Sequence, residues 1–193
     1  EQARREQRSY TDAPALFSPH PLFEHFGSPV PRGEACARLR LDPAGRYVLF
    51  FGLIREYKGL DILLDAWARL KERGSTAGRK LLVAGEFYTD PAPYRARIER
   101  LGLERDVVLH DRFVPDDEVK DYFSAADFLV LPYRTATQSG VTQIAYRFGL
   151  PMIVTDVGGL PEIVPDGRAG IVCRPDADAV ADAIGRMYAG GAL

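Results

Sequence analysis

"YVLFFGLIREYKGLDILLDAWARLKERG", residues 47–74, contains the transition that decides the fold. It opens with an almost unbroken apolar run ending in Gly52, continues through a loop carrying Arg55 and Lys58, and closes in a segment with helical spacing. An apolar run without alternation is the pattern of a parallel strand covered on both faces. From 59 to 74, Ile62, Leu63, Ala66, Trp67 and Leu70 fall on one helical face, and the segment ends in basic residues and Gly74. Strand, glycine turn, loop and helix make one unit of an α/β sheet.

The unit recurs. Apolar runs follow at "KLLVAG" (80–85), "VVLHD" (107–111), "FLVLP" (128–132), "MIVTDV" (152–157) and "GIVC" (170–173). Helical patterns lie between them. Residues 93–103 turn Ile98 and Leu101 inward, and residues 115–127 turn Val119, Tyr122 and Phe123 inward behind acids that suit the positive end of a helix dipole. Residues 140–149 and 176–190 complete the set. Strands alternating with helices predict a Rossmann-like, doubly wound, mainly parallel six-stranded α/β sheet over residues 46–193. Residues 1–45 read as a tail and linker. "EQARREQRSY" is charged. The proline- and aromatic-rich "DAPALFSPHPLFEHFGSPVP" reads as an extended connector that tucks in Phe17, Leu22, Phe23 and Phe26, before a short helix near 34–41.

The whole chain has 193 residues, 46% apolar and 27% charged, enough for one sizeable core or two small ones. A formal net charge of −2 gives no electrostatic case for nucleic acid or an anionic membrane. No apolar run approaches the roughly 18 residues of a membrane span, and no basic-then-apolar leader opens the chain. The first residue is not Met, so the chain reads as a trimmed piece. Cys36 and Cys173 have no metal-ligand spacing and read as reduced thiols. A cytoplasmic location is expected, with a membrane-peripheral one left open for a longer protein.

Ligands of open parallel sheets occupy the crevice beyond the carboxyl ends of the strands, so the residues after each run carry the functional reading. After the first, Gly52 permits a tight turn, and Arg55 and Lys58 stand in the loop leading to a helix. They read either as solvated loop charges or as a clamp on a diphosphate, helped by helix-start N–H groups. After the second, Glu86 and Phe87 are expected to overlook the crevice, with surface polarity as the alternative for Glu86. After the third, Phe113 or Val114 is a candidate apolar wall beside a nucleobase, against the plainer reading of Phe113 as core. His110 has no partner at ligand spacing and reads as structural. After the fourth, Thr137, Gln138, Ser139 and Gly140 sit where a helix begins, with unpaired N–H groups and partial positive charge. Ser139 serves there as a cap or as a ligand contact, and Gly140 lets a ligand approach the backbone. After the fifth, Asp156 leads into Gly158, Gly159 and a short helix. Two glycine-bearing helix starts beside a basic pair describe a pocket for a phosphorylated ligand.

"FFGLIREYKGLDILLDA" (50–66), "LLVAGEF" (81–87), "FSAADFLVLPY" (123–133), "AYRFGLPMIVTDVGGLPEIV" (145–164) and "GIVCRPDADAVADAI" (170–184) carry a resemblance. Together they resemble the carboxyl-terminal domain of GT-B glycosyltransferases. The nearest group is glycosyltransferase family 4, group 1, the retaining family of bacterial sucrose- and glycogen-synthase-like enzymes. The resemblance covers about residues 46–190 and extends weakly into "SPHPLFEHFG" (18–27). It implies half of a GT-B fold, binding a nucleotide-sugar donor. The family's basic pair on the first loop matches Arg55 and Lys58, although its usual arginine directly follows the loop glycine, where this chain has Leu53. The family's two glutamates, which touch the donor sugar and the ribose, match Ala136 and Ile144, neither of them acidic. Polar contact then falls to Thr137, Gln138, Ser139 and backbone N–H groups. An altered donor, a divergent subfamily and weak binding stay open as consequences.

The resemblance further implies retaining transfer from a nucleoside diphosphate sugar, with leaving-group charge met by Arg55, Lys58 and helix-start N–H groups rather than by a metal. The donor is a substrate, and no cofactor is expected. Asp61, Asp90, Asp111 and Asp156 are scattered over different elements and suggest no metal constellation. The amino-terminal acceptor half, which carries the catalytic side chain in such enzymes, is expected to be missing from this chain. The chain is then inactive alone, and no catalytic residue is assigned. Two alternatives remain: a non-catalytic nucleotide or sugar-nucleotide binding module, and a relative of GT-B epimerases or phosphorylases.

Overall fold

Each apolar run becomes a strand of one sheet. The computed structural model describes residues 23–190; the charged opening segment, Phe17 and Leu22 lie outside the described residues. The first half runs α1 (Arg32–Arg38), β1 (Arg46–Phe51), α2 (Leu60–Glu72), β2 (Arg79–Ala84), α3 (Ala92–Arg100) and β3 (Val107–His110). The second runs α4 (Asp116–Ala125), β4 (Phe128–Leu131), α5 (Gly140–Arg147), β5 (Met152–Thr155), α6 (Leu160–Ile163), β6 (Gly170–Cys173) and α7 (Ala177–Tyr188).

The sheet order is β3-β2-β1-β4-β5-β6, and every pairing is parallel. The chain winds outward from β1 in one direction and, after β3, returns to wind outward from β4 in the other. The strand order therefore reverses between β1 and β4, and that switch point opens a crevice at the carboxyl edge.

The near-continuous apolar runs have the expected cause, since each strand feeds two cores. Leu49, Phe51, Leu82, Leu129, Leu131 and Val154 face a layer shared with α1, α4 and α5. Val48, Phe50, Leu81, Val83, Val130 and Ile153 face a layer shared with α2 and α7. Trp67, Leu63 and Ala66 of α2 are fully buried there, and a large apolar side chain contributes about 1.5–3 kcal/mol by such burial. Ile98 and Leu101 are only half-buried, because α3 flanks the edge of the sheet.

The break in sequence texture at residue 45 does not interrupt the packing. Ala35 and Cys36 of α1 are fully buried, Leu39 and Leu41 nearly so, and α1 lies on α4. Phe23 and Phe26 are half-buried against the same layer, their rings edge to face with centroids 5.9 Å apart. Cys36 and Cys173 are free thiols, and burial pushes the Cys173 thiol up to about 12, which keeps it protonated. Among the described residues, no helix is long and apolar enough to cross a membrane.

Candidate functional site

The loop leaving β1 and the loop leaving β4 meet at the switch point. The first tightens into a short 3-10 turn, Glu56–Lys58, and enters α2 through Gly59 at φ 69°. A β-carbon on Gly59 would lie 2.0 Å from the Pro132 carbonyl oxygen, so only glycine lets the two loops touch. Arg134 locks them together. Its guanidinium donates to Asp61 at 2.8 and 2.6 Å and to the Glu56 carbonyl at 3.2 Å, while its N–H donates to the Tyr57 carbonyl. Burial works to raise the Asp61 carboxyl, but the Arg134 guanidinium outweighs it and holds the group below the usual carboxylate range.

Lys58 points into this junction and is only 8% exposed. No carboxylate among the described residues pairs with it, and it lies over the Tyr133 ring, with Nζ 5.9 Å from the ring centroid. Desolvation, helped by the charge of Arg55, lowers its pKa to about 8. A β-carbon built on Gly52 would lie 3.3 Å from Lys58 Nζ and 3.6 Å from Val141 Cγ2. The ammonium and the Val141 side chain of the first turn of α5 therefore both lie beside Gly52 at the end of β1, on the same side as the 138–140 bend. Arg55 does not join it. That guanidinium is exposed and stacks on Tyr88, 4.1 Å from the ring centroid.

Ser139 precedes α5, yet its hydroxyl makes no capping bond. It lies 3.3 Å from the Tyr133 hydroxyl and is buried, while Thr142 donates to the Ser139 carbonyl at 2.6 Å. Burial pushes the Tyr133 phenol up to about 12, so it stays protonated beside Ser139. Gly140 is less open than the sequence suggests, because a β-carbon there would meet the Phe23 ring at 3.3 Å. Thr137 and Gln138 are exposed and line a cavity of 640 Å³ with Tyr57, Arg134, Val157 and Gly158.

The glycine pair has a packing role that the sequence did not reveal. Gly158 has φ 55°, and a β-carbon on it would lie 1.4 Å from the Ala136 carbonyl oxygen; one on Gly159 would lie 2.6 Å from the Thr137 oxygen. The turn after β5 thus presses on the backbone of the polar loop and sets its height. The following helix, α6, spans only Leu160–Ile163, too short to present a developed dipole. Of the two expected helix starts, only that of α5 belongs to a helix of real length.

On the other side of β1, a second cavity of 420 Å³ is apolar. Phe26, Phe51, Leu53, Phe113, Val114 and Val119 line it, with Glu86 exposed at its edge. Phe113 is 68% exposed, which corrects the plainer reading of it as core, whereas Val114 is buried. Phe87 turns away into the α2 layer against Tyr94, so it does not overlook the crevice. His110 is half-buried with Nδ1 3.0 Å from the Tyr122 hydroxyl, and burial, then the charge of Arg112, lowers its pKa. Ile144, at the position of the family's second glutamate, packs in the core at 5% exposure. Tyr57, Tyr133 and Arg134 were not singled out from sequence; the polar and aromatic residues in the loops after the β1 and β4 runs were the available signal.

The family model for glycosyl transferases group 1 matches residues 45–190. The chain belongs to that family. A glycosyltransferase relative, D-inositol 3-phosphate glycosyltransferase of Streptomyces bingchenggensis, is 34% identical over 167 residues, covering 82% of this chain and 36% of the relative. This chain thus spans about a third of that glycosyltransferase's length. Sucrose-phosphate synthase from Thermosynechococcus elongatus superimposes with a TM-score of 0.82 at 25% identity, covering 99% of this chain and 48% of that one. Anabaena HepE, solved in complex with UDP, shares the fold with a TM-score of 0.71 at 21% identity, covering 86% of this chain and 45% of its own.

Proposed function

We propose that this chain is the donor-binding half of a retaining glycosyltransferase and takes a nucleoside diphosphate sugar. One observation carries the reading: Lys58 is buried and charged at neutral pH, with no acid paired to it among the described residues, at the switch point where α5 begins. An ammonium held away from water without a counter-ion is costly, and a bound diphosphate relieves that cost. The N–H groups of the first turn of α5 supply further donors, and Thr137 and Gln138 line the adjoining space for the sugar. The apolar cavity beside Phe113 and Val114 suits a base. The complex of HepE with UDP supports the same ligand class by analogy of fold.

In transfer, the leaving diphosphate gains negative charge, and Lys58 is positioned to stabilise it more in the transition state than in the ground state. The acceptor and the residues that activate it belong, on this reading, to an amino-terminal half outside this chain. A second reading, a nucleotide-binding module without transfer, is favoured by Ala136 and Ile144 at the positions of the family's glutamates.

Calorimetry with UDP, GDP and ADP tests the first reading. One of them is expected to bind, and Lys58→Ala to weaken it about 10- to 100-fold. Arg55→Ala, exposed and stacked on Tyr88, should cost only a few-fold. No binding by any of the three would sink the donor reading. Sugar transfer by a longer protein containing both halves then separates enzyme from module.

A further inference from the structure

Four helices end in the same backbone motif. After α2, α3 and α5 a residue turns left-handed, and the next N–H reaches back: Ser75 to the Leu70 carbonyl, Leu103 to Ile98 and Leu150 to Ala145. The left-handed residues are Gly74, Gly102 and Gly149, at φ 70°, 63° and 62°. Helix α1 closes with the same bonds, Arg40 to the Ala37 carbonyl at 3.2 Å and Leu41 to Cys36 at 2.8 Å. Here the left-handed residue is Arg40, at φ 56°, the one non-glycine with positive φ among the described residues. The motif selects glycine because a β-carbon is crowded in that conformation. An arginine kept there against that preference points to a use for its side chain.

Arg40 is exposed, and its guanidinium forms no hydrogen bond or ion pair with any described residue. It lines a hollow of 420 Å³ between the end of α1 and the loop leaving β3, together with Arg38, His110, Asp111 and Arg112. The other charges at the hollow are tied down. Arg38 is held by Asp121 at 3.0 Å and by Glu34, Arg112 by Glu118, and Asp111 by Arg95 at 2.6 Å. Of these lining charges, only Arg40 has no acid committed to it among the described residues. The Tyr122 hydroxyl orients the His110 ring, and when it donates to Nδ1 the neutral ring keeps a donor at Nε2.

We propose that this hollow binds the phosphate group of a small phosphorylated molecule, at a site separate from the donor pocket. Guanidinium forks match a tetrahedral oxyanion, and the volume falls in the range of small-molecule sites. Residues 110–112 line this hollow while Phe113 and Val114 line the apolar cavity, so consecutive residues of one loop serve both. The proposal does not depend on what the donor pocket takes.

The test uses the chain carrying Lys58→Ala, so that the donor-pocket cation is silent, with inorganic phosphate and glucose 6-phosphate as probes in calorimetry. Both are expected to bind. Adding Arg40→Gly should weaken them at least about tenfold and raise the melting temperature by roughly 2 °C, because glycine fits the turn. Arg40→Lys should keep most of the affinity without that rise. Affinity unchanged by Arg40→Gly overturns the proposal. So does a fall in melting temperature, which would assign Arg40 to the fold. Binding to phosphatidylglycerol vesicles without binding to either soluble probe also overturns it, in favour of a lipid surface.

Discussion

Two cavities share the carboxyl rim of the sheet, and they are held open by different physics. The one at the switch point is polar, built from backbone and side chains of residues 134–138 and from the turn after β5. Its shape depends on the Arg134–Asp61 pair and on Gly158 lying against the Ala136 carbonyl. The one above β1, β2 and β3 is an outward extension of the core, with Phe51, Val114 and Val119 at its floor and Phe113 exposed at its edge. Directional bonds and close backbone contact make the polar cavity intolerant of small shifts, whereas apolar packing admits volume changes more readily. Gly52 lines the apolar cavity and has Lys58 Nζ beside it, while Tyr57, the residue before Lys58, lines the polar one. Lys58 therefore adjoins both.

The comparison is broken most directly at Gly158. Gly158→Ala forces a β-carbon onto the Ala136 oxygen at a positive φ, and a loss of roughly 3 kcal/mol or more is expected in urea unfolding. Nucleotide binding should fall with it. A loss under about 1 kcal/mol would mean that the polar cavity yields as easily as the apolar one.

Lys58 sharpens the contrast through pH. It titrates at about 8 in the folded chain against 10.5 as a free side chain. Below pH 8 both states hold the proton, and the folded state carries the full cost of burying it. Between about 8 and 10.5 the unfolded chain binds more protons, so this residue makes stability rise with pH. On the proposed function, nucleotide affinity depends on the ammonium and should fall across the same window, its onset shifted upward when a bound diphosphate holds the proton. The melting temperature relative to Lys58→Ala is expected to rise across the window while affinity falls, the difference separating Lys58 from Cys173 and Tyr133, whose raised pKa values make stability fall as pH rises. Parallel slopes would remove Lys58 from the ligand.

The smallest expected effect lies in the apolar cavity. Phe113→Ala should change stability by less than about 0.5 kcal/mol, since the ring is already mostly in water. It should cost about 1 kcal/mol of nucleotide affinity if a base stacks there. An effect on stability as large as that of Gly158→Ala would return Phe113 to the core.

Much of the fold was legible because each strand and helix is a local pattern. The apolar runs end within a few residues of the observed strands, and Trp67, Tyr122 and Phe123 face inward as their spacing requires. The site was legible only in outline. Arg55 and Lys58 sit in the same loop, yet one stacks on Tyr88 in solvent while the other loses its water beside Tyr133. Ser139 has the right residue type and position for a cap, but the Tyr133 hydroxyl takes its side chain instead. Phe113 looks like core by composition, yet it is mostly exposed in the loop that leaves the edge strand β3.

From its sequence alone, this protein is a doubly wound parallel sheet whose polar and glycine-bearing loops gather at one edge. Periodicity and turn chemistry are properties of neighbouring residues, and they suffice for that. Which cation is desolvated, which glycine supports a neighbouring loop and which loop charges pair were decided only in three dimensions. Arg134 meets Asp61 across 73 residues of chain, and Phe23 lies beside Gly140 although the two are far apart in sequence. Burial and charge pairing are set by such distant contacts, and no local pattern encodes them.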